Sequence, residues 1–176
     1  VEHDFIGVGF GPSNLAIAVV MEEQARFFTA GIDYCFIEKQ QAFRWHGGML
    51  LDGSDMQISF LKDLVTLRNP TSRFTFINYL HEKNRLKAFI NLKTFFPARV
   101  EYNDYLAWVA SHVDDRCHYG EEVIGVEPVM AGETVTRLNV ISRRAGGSVE
   151  TRLTRTLVLG LGGVPAVPEP FEGVCD

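Results

Sequence analysis

Cysteine is scarce in this chain and follows no pattern. Cys35, Cys117 and Cys175 are an odd number with no C-x-x-C pair, so neither a disulfide framework nor a zinc site is expected. The five histidines show no ligand spacing, and none stands beside a serine or cysteine in a nucleophile arrangement. No metal site and no catalytic side chain is expected, and difficult chemistry would fall to a cofactor. An excess of positive charge is also missing. The net charge is -5, which gives no electrostatic reason to expect nucleic acid or an anionic membrane as partner. No apolar run approaches the ~20 residues of a membrane span, and the start lacks the basic, apolar and small-residue order of a secretory signal. A cytoplasmic setting is the default expectation.

The chain has 176 residues, 46% of them hydrophobic, enough for one domain or a large piece of one. It begins at Val1 rather than Met and stops just after VPAVPEPFEG, a Pro-rich stretch of extended-connector character. A fragment is expected.

Phe5 to Val8 is a short apolar run that ends at Gly9, and Pro12 suits the first turn of a following helix, where its missing N–H costs nothing. The helix is expected from about Ser13 to Phe28, with Glu22, Glu23 and Gln24 on its exposed side and Gly31 ending it. Tyr34 to Ile37 is a second strand that delivers Glu38 at its end, which makes a strand-helix-strand unit with parallel strands. Residues 41–73 are irregular and rich in aromatics and glycine, as functional loop regions are. Phe74 to Glu82 is expected to be a helix, and Asn103 to cap another that runs through His112. Glu122 to Pro128, Val135 to Ser142 and Ser148 to Leu153 are expected to form an antiparallel meander, with Thr156 to Leu159 a separate strand returning to the first sheet.

The chemistry-bearing stretch is Gly9-Phe-Gly11-Pro-Ser-Asn14. Glycines at 9 and 11 allow a tight turn and a close approach of backbone to a pyrophosphate, and the helix N-terminus adds free N–H groups and a positive dipole end. Asn14 stands where the dinucleotide fingerprint has its third glycine. Being larger, it predicts a looser contact between helix and strand, although its amide could fill or bond the turn. Glu38 is placed to accept hydrogen bonds from a ribose 2'-OH; as a bland alternative it is a solvated strand-end residue beside Lys39. The long loop excursion and the meander depart from a plain NAD module and favour the two-dinucleotide flavoprotein plan, in which Gly160-Leu-Gly162-Gly163 approaches the flavin side.

The segments GVGFGPSNLAIA, FIEKQQAFRWHGGMLL, DMQISFLKDLVTLRNPTSRFTFINYLHEKNRL, FPARVEYNDYLAWVA and LVLGLGGVPAVP closely resemble the flavin-dependent N-hydroxylating monooxygenases of siderophore biosynthesis. These are the L-ornithine and L-lysine N-hydroxylases and their diamine-acting relatives. The resemblance implies an α/β fold: a Rossmann-like FAD-binding domain with a parallel central sheet and an antiparallel meander. It implies an enzyme that uses FAD, NADPH and O2 to hydroxylate the terminal primary amine of ornithine, lysine or a diamine such as putrescine. In that family the reduced flavin captures O2 as a C4a-hydroperoxide, which the unprotonated amine attacks. Residues 1–176 are expected to be the N-terminal portion of the FAD-binding domain, without the NADPH domain and the C-terminal part, and the full-length protein to be a homo-oligomer.

The resemblance also assigns roles. Gly9, Gly11, Pro12, Ser13 and Asn14 match the pyrophosphate turn, Glu38 the ribose contact, and the run through Lys39, Trp45 and His46 the main FAD-binding stretch. Gln57 matches a residue beside the flavin, Val123 a backbone contact to the adenine end, and Gly162 the closing glycine turn. Lys62 matches a lysine that binds the substrate's carboxylate, and Arg99 is a further cation for the flavin or a cofactor phosphate. Trp45 and His46 could instead pack and cap a loop, and Lys62 could be a solvated partner of Asp63. The alternative functions are an NAD(P)-binding reductase module and a non-catalytic FAD-binding relative.

Overall fold

The first strand, β1 (Glu2–Val8), is buried over its C-terminal residues Ile6–Val8, and its alternation sends Phe5 and Ile6 to cores on opposite faces. In the computed structural model, which describes residues 2–24 and 31–163, Phe5 joins a large aromatic core on one face of the sheet. Ile6 joins a small aliphatic core with Val140 on the other. β2 (Tyr34–Glu38) repeats the pattern: Tyr34 and Phe36 face the aromatic core, Cys35 and Ile37 the aliphatic one. Strands covered on both sides are what a parallel pairing requires, and β1 pairs β2 in parallel with Gly7 opposite Phe36. Gly7 is needed there, because a β-carbon would lie 2.3 Å from the Phe36 ring.

Between these strands runs α1 (Pro12–Gln24), which buries Asn14, Leu15, Ala18 and Val19 on one side. The residues expected to carry this helix on to Phe28 lie outside those described, as do the Pro-rich connector and Cys175. Three more helices follow the long loop region. They are α2 (Phe76–Glu82), α3 (Leu86–Leu92) and α4 (Arg99–Ala110). Their aromatic rings interlock: Phe76 lies 5.4 Å from Tyr105 and 5.5 Å from Phe89, both edge-on, the geometry that ring quadrupoles prefer. Asp63 holds the loop to this layer. Its carboxylate accepts from the Val65 and Thr66 amides, the Thr66 hydroxyl and the Phe76 amide at the start of α2.

The chain then adds β3 (Cys117–Tyr119), β4 (Glu121–Ala131), β5 (Thr134–Arg144) and β6 (Val149–Leu159), completing one six-stranded sheet in the order β3-β2-β1-β6-β5-β4. β6 is a single strand with two tasks. Residues 149–154 pair antiparallel with β5, and residues 153–159 pair parallel with β1. The expected break between Leu153 and Thr156 is therefore absent, and the meander is continuous with the parallel sheet rather than an interruption of it. The α/β class with parallel and antiparallel pairing is as expected.

Two further expectations are corrected. Asn103 does not begin a helix: α4 starts four residues earlier at Arg99, and Ala98 holds the cap position without a side-chain bond. The second helix starts at Phe76 rather than Phe74, because Thr75 accepts the Asn78 amide N–H at 3.2 Å and so caps it.

Where the three strands β4, β5 and β6 meet, Arg152 donates to Glu121, and Ser142 donates to the same carboxylate. All three side chains are buried. Burial alone would raise the Glu121 carboxyl, but the bonds from Arg152 and Ser142 outweigh it and hold the group below its ordinary range.

Candidate functional site

The glycine turn is assembled at the C-terminal ends of β1, β2 and β6. Gly9 has φ +80 and donates its N–H to Ile37 O at 2.8 Å, while Gly160 donates to Val8 O at 2.8 Å. A β-carbon on Gly9 would meet Gly160 O at 2.5 Å, so glycine is required on steric as well as conformational grounds. Gly11 differs: a β-carbon there would meet nothing within 4 Å. Its neighbourhood is open space at the N-terminus of α1. Pro12 and Ser13 form the first turn of that helix, whose leading N–H groups have no partner further back in the helix.

Asn14 is buried at 1% exposure, and its amide donates to Gly9 O at 2.7 Å and Val8 O at 3.2 Å. The amide therefore bonds the turn, as its chemistry allowed. The side chain replaces the missing close approach with two hydrogen bonds to the turn itself. Its Oδ1 is buried without a partner.

Glu38 is buried too, at 7% exposure, which removes the reading of a solvated strand-end residue. One oxygen accepts the Phe10 amide at 2.7 Å and the other the Gln40 amide at 2.8 Å. A single carboxylate thus joins the glycine turn to the exit of β2. Phe10 anchors the same point by packing its ring 4.8 Å from Phe36. Lys39 is exposed just beyond the strand.

The loop after β2 leans on α4. The Trp45 amide donates to Asn103 Oδ1 at 2.9 Å, the Arg99 guanidinium stands 5.7 Å over the Trp45 ring, and the Tyr102 ring lies 5.8 Å away. His46 is exposed, takes the left-handed φ of 45 and sits edge-on to Trp45 at 5.0 Å. Gln57 is exposed on a segment pinned to the start of α4: Met56 donates to Pro97 O, and Arg99 to Ser54 O, each at 2.8 Å.

Lys62 ends a 3-10 turn (Phe60–Lys62) and is exposed. Asp63 is not its partner, since that carboxylate is taken up by the four donors named above. The Tyr102 hydroxyl donates to Lys62 O at 3.4 Å, and burial pushes that phenol well above its ordinary value, so it stays a neutral donor. Tyr102 therefore touches both the Trp45 loop and the Lys62 turn.

Val123 lies in β4, half-buried against the aliphatic core. The start of its strand is tied to the exit of β2 through the Gly120 amide, which donates to Gln40 O at 2.9 Å. Gly162 has φ +70 and is exposed beyond the end of β6. The structure thus gathers Gly9, Gly11, Asn14 and Glu38 at one turn. It sets Trp45 of the loop after β2 against Arg99 of α4, and leaves Lys62 on a separate turn joined to them by Tyr102. Of the residues that shape the site, Phe10 was not singled out, Gly160 was read only within the closing glycine turn, and Asn103 only as a helix cap. Gly160 carried a signal in the closing GLGG; Asn103 carried none beyond an Asn in a helical stretch. Among the described residues no group of three or more His, Cys, Asp or Glu side chains gathers to hold a metal, and no helix is long and apolar enough to cross a membrane.

A family model described as L-lysine 6-monooxygenase/L-ornithine 5-monooxygenase matches residues 1–176. A curated L-ornithine N(5)-monooxygenase from Burkholderia cepacia is 57% identical over 172 residues, 97% of this chain and 38% of its own length. The solved ornithine hydroxylase from Pseudomonas aeruginosa superposes with a TM-score of 0.93 at 52% identity, over 99% of this chain and 42% of that one. The ornithine N-hydroxylase of Kutzneria sp. 744, solved with reduced FAD, NADP+ and L-ornithine, gives 0.87 at 41% identity, covering 96% of this chain and 39% of that one. The chain spans about two fifths of the length of the curated relatives it matches. Sequence and fold both match, and the chain belongs to the L-lysine 6-monooxygenase/L-ornithine 5-monooxygenase family.

Proposed function

We propose that residues 1–176 are the N-terminal portion of the FAD-binding domain of an NADPH- and O2-dependent monooxygenase. The full-length enzyme hydroxylates the terminal primary amine of L-ornithine, or of lysine or a diamine such as putrescine, for hydroxamate siderophore biosynthesis. The observation that carries this reading is the turn in which the buried Glu38 carboxylate fixes the Phe10 amide beside the open N-terminus of α1. A pyrophosphate fits there, because the space above Gly11 is clear and the helix end presents N–H groups. The ribose then falls beside Glu38, whose oxygens retain acceptor capacity after the two amide bonds.

FAD, once bound and reduced by NADPH, supplies the oxygen activation. The chain's own residues bind and orient. Gly9, Gly11, Pro12, Ser13 and Asn14 form the phosphate cradle. Lys39, Trp45, His46, Gln57, Val123 and Gly162 line the remaining cofactor path. Lys62 offers an exposed ammonium on a fixed turn to the substrate's carboxylate. L-Ornithine is the first substrate to consider, because the 57% and 52% identical relatives are both named L-ornithine N(5)-monooxygenases. A cytoplasmic setting suits the NADPH requirement, and a homo-oligomeric full-length enzyme goes with the reading. The test is an assay of the full-length protein with NADPH, O2 and each of ornithine, lysine, putrescine and cadaverine. A hydroxylamine product is expected from one of them. None from any would leave a non-catalytic relative.

A further inference from the structure

We infer that Asn103 is a positioning residue for the cofactor loop, acting through the main chain of Trp45. The inference rests on the FAD reading above and deepens it. Asn103 lies inside α4, where asparagine is a poor helix residue because its amide competes with the backbone. Here the side chain serves another segment: its Oδ1 accepts the Trp45 amide at 2.9 Å across 58 residues.

The same stretch of α4 grips Trp45 at two more points. The Arg99 guanidinium stands 5.7 Å over its ring and the Tyr102 ring 5.8 Å away. Ring contacts tolerate sliding, whereas a backbone hydrogen bond fixes position and direction together. The loop needs such a fix. Between the end of β2 and residue 50 its regular structure is one 3-10 turn, Gly47–Met49, and the residue after Trp45 is held in the left-handed region at φ 45. A non-glycine residue adopts that conformation only where its surroundings determine it. The adjoining peptide, Trp45 N–H to Asn103, is the tie that reaches out of the loop into a rigid helix.

α4 also sets the Lys62 turn, through the Tyr102 hydroxyl on Lys62 O. One helix therefore indexes the cofactor loop and the lysine turn to each other, and Asn103 is its attachment to the first.

The test uses the full-length protein with Asn103→Leu, which removes the acceptor at similar size, and Asn103→Asp, which keeps an acceptor oxygen. Three quantities are read: the FAD dissociation constant, hydrogen exchange of the peptide containing Trp45 without FAD, and the global unfolding midpoint. Asn103→Leu is expected to weaken FAD binding about tenfold and to speed exchange at the Trp45 amide, and Asn103→Asp to stay close to the parent in both. A purely structural residue would lower the unfolding midpoint and leave FAD affinity unchanged. Faster exchange with unchanged FAD affinity would overturn the inference, as would a Leu-like loss in the Asp variant. An unprotected Trp45 amide in the parent would overturn it without any variant. Failure of the parent to bind FAD would instead defeat the functional reading, and this inference with it.

Discussion

The side-chain amide of Asn14 occupies the space that a β-carbon on Gly160 would need, only 2.7 Å from it. Two residues far apart in sequence thus share one volume at the junction of β1, β6 and α1, and each limits what the other can be. Gly160→Ala is expected to destabilise the fold by about 1–3 kcal/mol, because Asn14 is held by bonds to Val8 O and Gly9 O and cannot swing away freely. Adding Asn14→Gly should recover part of that loss, a coupling that a double-mutant cycle in urea would measure. Strict additivity of the two changes would contradict the shared-volume account.

Glu38 is the second constraint on the turn. Glu38→Ala leaves the buried Phe10 amide without an acceptor, a cost of about 1–3 kcal/mol. FAD affinity should fall with stability, since the same carboxylate faces the ribose in the proposed complex. Titration of the full-length variant with FAD, beside its unfolding curve, checks both. Unchanged FAD affinity in a destabilised variant would remove Glu38 from the cofactor site.

The Glu121–Arg152 pair sets an acid dependence. Its carboxyl is held below the ordinary value of 4.5 when folded, so its contribution is fully present above about pH 4.5 and is lost as pH falls through the lower folded value. Arg152→Met is expected to cost up to about 3–5 kcal/mol at pH 7, because it leaves the buried Glu121 with only the Ser142 hydroxyl and the longer, 3.4 Å contact to Arg144. Most of that loss should disappear in Glu121→Leu/Arg152→Met. Unfolding midpoints of the parent and both variants from pH 3 to 7 would show it, with the double variant less acid-sensitive than the parent.

Lys62 tests the substrate class. Lys62→Ala in the full-length enzyme should raise KM for an amino-acid substrate roughly tenfold or more with a smaller effect on kcat, as loss of a charge-assisted bond made equally in ground and transition states requires. A plain diamine has no carboxylate for the lysine to hold, so its KM should hardly move. Steady-state kinetics with ornithine and putrescine separates the two.

What the sequence made legible was local. The glycine turn, Pro12 at the helix start and Glu38 at the end of β2 follow from neighbours along the chain, and the structure draws them together. α3 and β3 are too short, at 7 and 3 residues, to carry a periodicity of their own. The continuity of β6 was hidden because a polar residue, Thr154, is buried beside Arg155 just where the strand changes partners from β5 to β1. Asn103 has the composition of a helix cap and the position of a tertiary acceptor, and only the placement of the loop 58 residues earlier distinguishes them. The Glu121–Ser142–Arg152 cluster joins three strands and has no signature in any one of them. Asn14 shows the same limit: its type marked the departure from the fingerprint, and its two bonds to the turn gave the reason.

The most direct test of the central claim is the visible spectrum of the full-length protein after incubation with FAD and desalting. The account predicts a retained flavin band at about 450 nm, close to one FAD per chain, and a marked loss of it in Glu38→Ala. A colourless parent protein would contradict it.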